Sequence, residues 1–211
     1  KEFRSLNIQL LRCQDTNFLS IPREYLNEIA DYLSREDIYV PLYIETRPET
    51  ISPSSIELLK KLNVIGVGMG VETAAEDYRE DNLNRFSSLQ KIERAFKLLK
   101  DANIKRSSYN ILGMPGQSER DILATIDLNH RLKPDNITVS FYSPFMGTKT
   151  ALNGMETNEY NNESNLSDSQ LRSNTHSKLL TKQKLEYYKK NFNDLCRSGK
   201  SKPPVNNQSK L

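Results

Sequence analysis

Apolar and polar positions alternate along the first 150 residues in runs of two kinds. Short apolar runs predict strands at Ser5–Leu11, Ile38–Ile44, Val64–Val71, Ile104–Leu112 and Ile137–Tyr142. Between them, apolar residues recur at helical spacing. Tyr25, Ile29, Tyr32 and Leu33 follow Pro22, and Ile56, Leu59 and Leu62 follow Ser52-Pro53. A third helix carries Ile92, Ala95, Phe96 and Leu99, and a fourth opens at Ser118, with Asp121 completing a capping box, and runs to about Leu132. Ala74–Ser88 reads as a polar connection.

Strand-helix units in succession, without a hairpin signal, predict an α/β fold on a parallel sheet. The strands meet polar stops near Asp15, Glu45, Glu72, Gly113 and Ser143. That spacing of about 30 residues suits the (β/α) unit of a barrel or of a doubly wound sheet. Both architectures bind ligands at the carboxyl ends of their strands. Five units are too few to close an eight-stranded barrel, so the expected sheet is open or incomplete.

The pattern changes after residue 150. Residues 151–178, rich in Asn, Ser, Thr and Glu, read as a polar insertion or disordered loop. Residues 179–197 predict a last helix with Leu185, Tyr188 and Phe192 on one face, and 198–211, with Pro203-Pro204, a disordered tail. The shortage of hydrophobic residues (36% of 211) falls mostly in this part, so residues 1–150 form the expected domain. A net charge of +3, with no basic stripe, implies no nucleic-acid partner. No run reaches the roughly 18 apolar residues of a membrane helix, and no signal peptide opens the chain. Cys13 and Cys196 form neither a disulfide framework nor a metal motif, which fits a cytoplasmic location. The chain opens on Lys1, not methionine, and the expectation is that it starts inside a longer protein.

Three groups of residues could carry chemistry. Asp15, Asn17, Glu45, Arg47, Glu72, Thr73 and Arg85 lie at or after strand ends. Carboxylates there could hold an amine or ribose hydroxyls, bind a metal or move protons, or could be solvated loop residues. The turn from Asn110 to Gln117, with Gly113, Pro115 and Gly116, lets backbone approach a ligand or simply joins a strand to a helix. It is not a phosphate loop, because no Gly-Lys-Ser/Thr follows. Tyr142 and Ser143, in an aromatic turn running to Thr148, could flank a flat ring or pack the sheet edge. His130 and His176 suggest no role, no zinc spacing or nucleophile turn occurs, and Cys13 reads as a small buried hydrophobe. No catalytic residue and no metal ligand can be named.

The stretches LLRCQDTNFL, YIETRPETISPSSIELLKKLNV, GVGMGVETAAEDYREDNLNR, YNILGMPGQSERDILATIDL and ITVSFYSPFMGT together resemble the later part of a radical S-adenosylmethionine (SAM) enzyme. The likeness covers about residues 5 to 150. It is nearest the branch whose longer members carry a cobalamin-binding domain ahead of the barrel. The resemblance implies a partial, TIM-like (β/α) barrel, units two to six, incomplete at its N-terminus. It also implies reductive cleavage of SAM to methionine and a 5′-deoxyadenosyl radical. Glu45 would reach the methionyl or ribose end of SAM, Glu72 with Thr73 beside it the ribose, and Arg85 the carboxylate. Asp15 and Asn17 stand where methionyl contacts are found, and the Leu112–Gly116 turn with Tyr142 and Ser143 where adenine packs. Implied cofactors are SAM, a 4Fe-4S cluster with its ligands upstream of residue 1 and, in the full-length protein, cobalamin. Implied partners are a small-molecule substrate and an electron donor such as flavodoxin or ferredoxin, with no nucleic acid and no membrane.

One departure is large. The family's three-cysteine loop, Cys-x-x-x-Cys-x-x-Cys, is not in this chain. Truncation ahead of Lys1 is the favoured explanation, and loss of the chemistry in a degenerate member is the other. By itself the chain is expected to be inactive. Two rivals stay open: an ordinary barrel lyase or hydrolase using Glu45 and Glu72 as an acid/base pair, and a non-catalytic SAM-binding or scaffold module.

Overall fold

The structure is a computed structural model that describes residues 8–145, 147–157 and 179–199. Five strands, β1 (Leu11–Arg12), β2 (Leu42–Thr46), β3 (Val64–Glu72), β4 (Lys105–Leu112) and β5 (Asn136–Phe141), make one sheet in the order of the chain. β1 to β4 pair in parallel, with Leu11 beside Leu42, Leu42 beside Val64 and Gly68 beside Ser107. A doubly wound sheet reverses its strand order at a switch point. This one never reverses, which leaves the singly wound arrangement of a partial (β/α) barrel.

The chain packs as two compact units. The first gathers the described residues up to Glu72 with Arg85–Asn110 and Pro134–Thr138. Its helices are α1 (Arg23–Arg35), α2 (Pro53–Lys61) and, after α3 (Glu76–Leu83) of the other unit, α4 (Leu89–Asp101). Leu26, Ile44, Leu59, Leu62, Val67, Met69, Ile92, Phe96 and Leu99 are each at most 1% exposed and make its core. Ser52 caps α2 reciprocally with Ser55, and Pro53 fills the first turn, where its missing N–H costs nothing. Asp135 fastens the start of β5 by accepting from the Arg106 amide at 2.8 Å and from its Nε at 3.1 Å.

The second unit gathers Thr73–Asn84, Ile111–Lys133 and the described residues from Val139. It holds α3 (Glu76–Leu83), α5 (Glu119–Leu132), α6 (Lys149–Glu156) and α7 (Lys182–Ser198). The Ser118–Asp121 capping box forms as expected. Leu185, Tyr188 and Phe192 of α7 are buried, and Glu119 of α5 accepts from Lys184 Nζ at 2.6 Å and Tyr188 Oη at 2.8 Å. Those two bonds hold the Glu119 carboxyl below its ordinary range.

Four boundaries differ from expectation. The first strand is Leu11–Arg12 rather than Ser5–Leu11; residues 8–10 are not strand, and 5–7 lie outside the described residues. The second begins at Leu42 rather than Ile38, because Pro41 has no N–H for the ladder, and it continues through Glu45 and Thr46. Within Ala74–Ser88 the chain forms α3, whose sequence EDYREDNL has almost no apolar periodicity; its buried residue is Arg79, 0% exposed. Lys149–Glu156 is helical although 151–178 reads as insertion: Thr148 caps it, and Thr150 and Asn153 bond Asn82. Residues 158–178, with His176, and the tail from 200 lie outside the described residues.

Candidate functional site

Strand β3 organises the site. Its residues 65, 67, 69 and 71 are apolar, while the alternate positions are Gly66, Gly68, Gly70 and then Glu72. The sheet therefore has an apolar face and a face bare of side chains along β3. Neighbouring side chains fill the space. A Cβ on Gly66 would stand 2.7 Å from the Tyr43 ring, and one on Gly68 would stand 2.7 Å from Cζ of Tyr109. A Cβ on Gly70 would meet the Glu72 carboxylate.

The strand ends in an irregularity. The register with β4 shifts between Gly70 and Glu72, and Glu72 has φ 62°, left-handed backbone that costs a non-glycine residue energy. A bulge of this kind re-aims a side chain. Here it brings Glu72 Oε1 to 3.4 Å from Arg85 Nη2, with side chains only 15% and 19% exposed. The other guanidinium nitrogen, Arg85 Nη1, is buried and has no hydrogen-bond partner among the described residues. A half-satisfied buried guanidinium is costly unless an acceptor reaches it.

Beside this pair, Glu45 leaves β2 on the glycine face, as the pairing of Glu45 with Gly68 requires. Its Oε1 accepts from Arg12 Nη2 at 2.5 Å and from Tyr109 Oη at 3.2 Å. Tyr43 Oη stands 3.1 Å from Tyr109 Oη, and Arg12 lies over the Tyr43 ring. Burial first, and then the bond with Tyr43, push the Tyr109 phenol far above its ordinary range, so it stays a donor. Asn17 is engaged locally: Thr46 donates to its Oδ1 at 2.9 Å and the Arg47 amide at 3.3 Å. Arg47 is exposed, 4.0 Å from Glu49, and Asp15 is exposed. Cys13 is half-buried, and burial, helped by the charge of Asp15, raises its thiol pKa.

The remaining sequence candidates lie in the second unit. Thr73 is 1% exposed, and its hydroxyl is engaged with Thr125 at 3.3 Å and the Ala75 amide at 3.3 Å. Gly113 has φ 77°, a conformation suited to glycine, and its amide donates to Gln117 Oε1 at 2.7 Å. Gln117 also donates to the Ile111 carbonyl, so its side chain closes the turn around buried Pro115. The Tyr142 amide bonds the Leu112 carbonyl at 2.7 Å, which holds the start of the Tyr142-Ser143 turn. Met146 of that turn lies outside the described residues.

The structure thus brings Glu72 to Arg85, as two neighbouring polar candidates, and adds three residues that sequence reasoning missed: Arg12, Tyr43 and Tyr109. A usable signal was present. A glycine at every second position of a strand means that large side chains from both neighbours lie across it, and each neighbour offers a tyrosine there. Among the described residues no three His, Cys, Asp or Glu side chains are grouped to hold a metal.

Comparison with known proteins bears on this arrangement. The sequence is 27% identical over 128 residues to anaerobic magnesium-protoporphyrin IX monomethyl ester cyclase of Rubrivivax gelatinosus, covering 60% of this chain and 23% of that protein. It is 34% identical over 94 residues to an uncharacterized protein of Methanocaldococcus jannaschii, covering 44% of this chain and 26% of that one. The chain thus spans about a quarter of the length of these curated relatives. In structure it resembles the radical SAM methyltransferase TsrM of Kitasatospora setae, solved with cobalamin and a 4Fe-4S cluster (TM-score 0.64, 17% identity, 74% of this chain, 30% of that one). It also resembles coproporphyrinogen III oxidase of Escherichia coli, a radical SAM enzyme (TM-score 0.67, 16% identity, 90% and 41%). Both likenesses support the partial TIM-like barrel. The radical SAM superfamily profile matches residues 19–128, more than half of the 211. The chain belongs to the radical SAM superfamily.

Proposed function

We infer that this chain is the SAM-binding part of a radical SAM enzyme, acting with a 4Fe-4S cluster whose thiolates come from sequence outside these 211 residues. The observation that carries the reading is the Glu72–Arg85 pair at the bulged end of β3, with Arg85 Nη1 buried and unsatisfied. The residues present fit SAM. Arg85 would take its carboxylate, Glu72 its ribose hydroxyls, and Glu45, whose Oε2 accepts no bond from the described residues, its methionyl end. The missing side chain at Gly70 leaves room for the Glu72 carboxylate to lie beside the strand. Asp15, Asn17 and Arg47 would contact the methionyl side from the first two strand ends.

The residues present do not fit the cluster. Two cysteines cannot supply three thiolates, and burial raises the pKa of both, Cys196 to about 12. A cluster held by thiolates outside these residues would supply the electron for SAM cleavage. What this chain contributes is binding, orientation and exclusion of water. Alone it is inactive.

The likeness to TsrM, solved with cobalamin bound, is what favours the branch in which a cobalamin domain accompanies the barrel. Cobalamin is therefore proposed for the full-length protein, along with a small-molecule substrate, a flavodoxin or ferredoxin as electron donor and a cytoplasmic location. No described helix is long and apolar enough to cross a membrane. The test is calorimetric titration of SAM into the intact protein under anaerobic conditions. Saturable binding at one site per chain is expected, and no detectable binding at millimolar SAM removes the reading.

A further inference from the structure

The Arg12–Glu45–Tyr109–Tyr43 cluster has a direction fixed by its chemistry. A carboxylate only accepts, so the 3.2 Å contact is a donation from Tyr109 Oη to Glu45 Oε1. Each phenol has one O–H to give. Tyr109 has given its own to Glu45, so in the 3.1 Å contact Tyr43 donates to Tyr109. Arg12 donates from Nη2 to Glu45 Oε1 at 2.5 Å and approaches Tyr109 Oη at 3.3 Å. Arg12 and Tyr109 both donate to Oε1 of Glu45, Tyr43 backs Tyr109, and Oε2 accepts nothing from the described residues.

The backbone is adapted to this cluster. Tyr109 can lie across β3 only because position 68 is glycine, and Tyr43 only because position 66 is. Arg12 contributes less to the fixing: its side chain is 55% exposed, against 29% for Glu45, and exposed ion pairs hold geometry weakly. The phenol of Tyr109 is about half buried and stands on a strand. It is therefore the rigid member of the set.

We propose that Tyr109, backed by Tyr43, is a positioning residue that fixes the Glu45 carboxylate so that Oε2 is presented to the methionyl ammonium of SAM. This deepens the reading of the previous subsection and rests on it. SAM has two cationic groups, the sulfonium and the ammonium, and of these the ammonium alone has N–H donors to give to a carboxylate oxygen with no partner among the described residues. A tyrosine that only filled the glycine track would matter for packing and not for which part of the ligand is held.

The experiment uses the intact protein and two probes, SAM and 5′-methylthioadenosine, which keeps the adenine and both ribose hydroxyls but has no amino-acid end. Tyr109→Phe retains the ring in the track and removes the one donor. It is expected to weaken SAM binding about ten-fold, to leave methylthioadenosine affinity within two-fold, and to leave the melting temperature nearly unchanged. Tyr43→Phe, which removes the supporting donor, should weaken SAM binding by less, in the same ligand-selective way. Unchanged SAM affinity in Tyr109→Phe overturns the inference, and so does an equal loss for both probes. Failure of the unsubstituted protein to bind either probe instead overturns the SAM reading beneath it, so the two failures are distinguishable.

Discussion

Arg85→Ala in the intact protein is expected to weaken SAM binding by 30-fold or more, the largest binding effect of any single change proposed. Its Nη1 is a buried donor near the end of β3 with no acceptor among the described residues. Truncating one member of a hydrogen-bonded charge pair costs about 2–5 kcal/mol, much of it the burden of the partner left behind. Here both losses coincide: the ligand carboxylate loses its cation, and Glu72, 15% exposed, keeps a charge with no arginine beside it. Arg85→Lys restores the charge but not the fork, so it should recover only part of the affinity. Equal affinities for Arg85→Ala and the parent in a direct titration would show that the ligand does not reach this pair.

Gly68→Val is expected to lower the melting temperature by about 5–10 °C. Valine has the higher strand propensity, which favours the variant by at most about 1 kcal/mol. Against that, the new Cβ would stand within 2.8 Å of the Tyr109 ring carbons Cζ and Cε2, and the ring is pinned by Tyr43, Glu45 and Arg12. Overpacking of this sort costs about 1–3 kcal/mol, and displacing the phenol also breaks its bond to Glu45. The strain wins. Combining the change with Tyr109→Ala should return part of the lost stability, because the two sites then no longer compete for one volume. A parent-like melt for Gly68→Val alone would mean that the glycines on this face are not spacers for the tyrosines.

Much of the fold was legible because hydrophobic periodicity carries it. Strands 64–71, 104–112 and 137–142 and helices 23–35, 53–61 and 89–101 all place apolar residues at spacings that burial then rewards. Elements stabilised in other ways escaped. Helix 76–83 buries an arginine rather than a leucine, and helix 149–156 is held by a threonine cap and by bonds to Asn82. Neither leaves an apolar stripe to read. The choice between a barrel and a doubly wound sheet was invisible to spacing, which both share; the family resemblance made it, and the strand order bears it out.

The site was half legible. Glu45, Glu72 and Arg85 stand out as charges at or near strand ends, and resemblance adds what they would hold. The glycines at 66, 68 and 70 looked like room for a cofactor. In the structure much of that room is occupied by Tyr43, Tyr109 and the Glu72 carboxylate. Parity explains the oversight: Tyr43 alternates with Leu42 and Ile44 in a strand that reads simply as apolar. Thr73, one residue beyond Glu72, has its hydroxyl engaged with Thr125.

The central claim is that these residues hold SAM for reductive cleavage beside a cluster bound elsewhere in the protein. It is tested most directly by reducing the intact, iron- and sulfide-reconstituted protein without oxygen and separating the nucleosides formed from SAM. The account predicts 5′-deoxyadenosine and methionine in equal amounts, with yield lost on removing either the reductant or Arg85. Intact SAM after prolonged reduction, in protein whose cluster is spectroscopically complete, would contradict it.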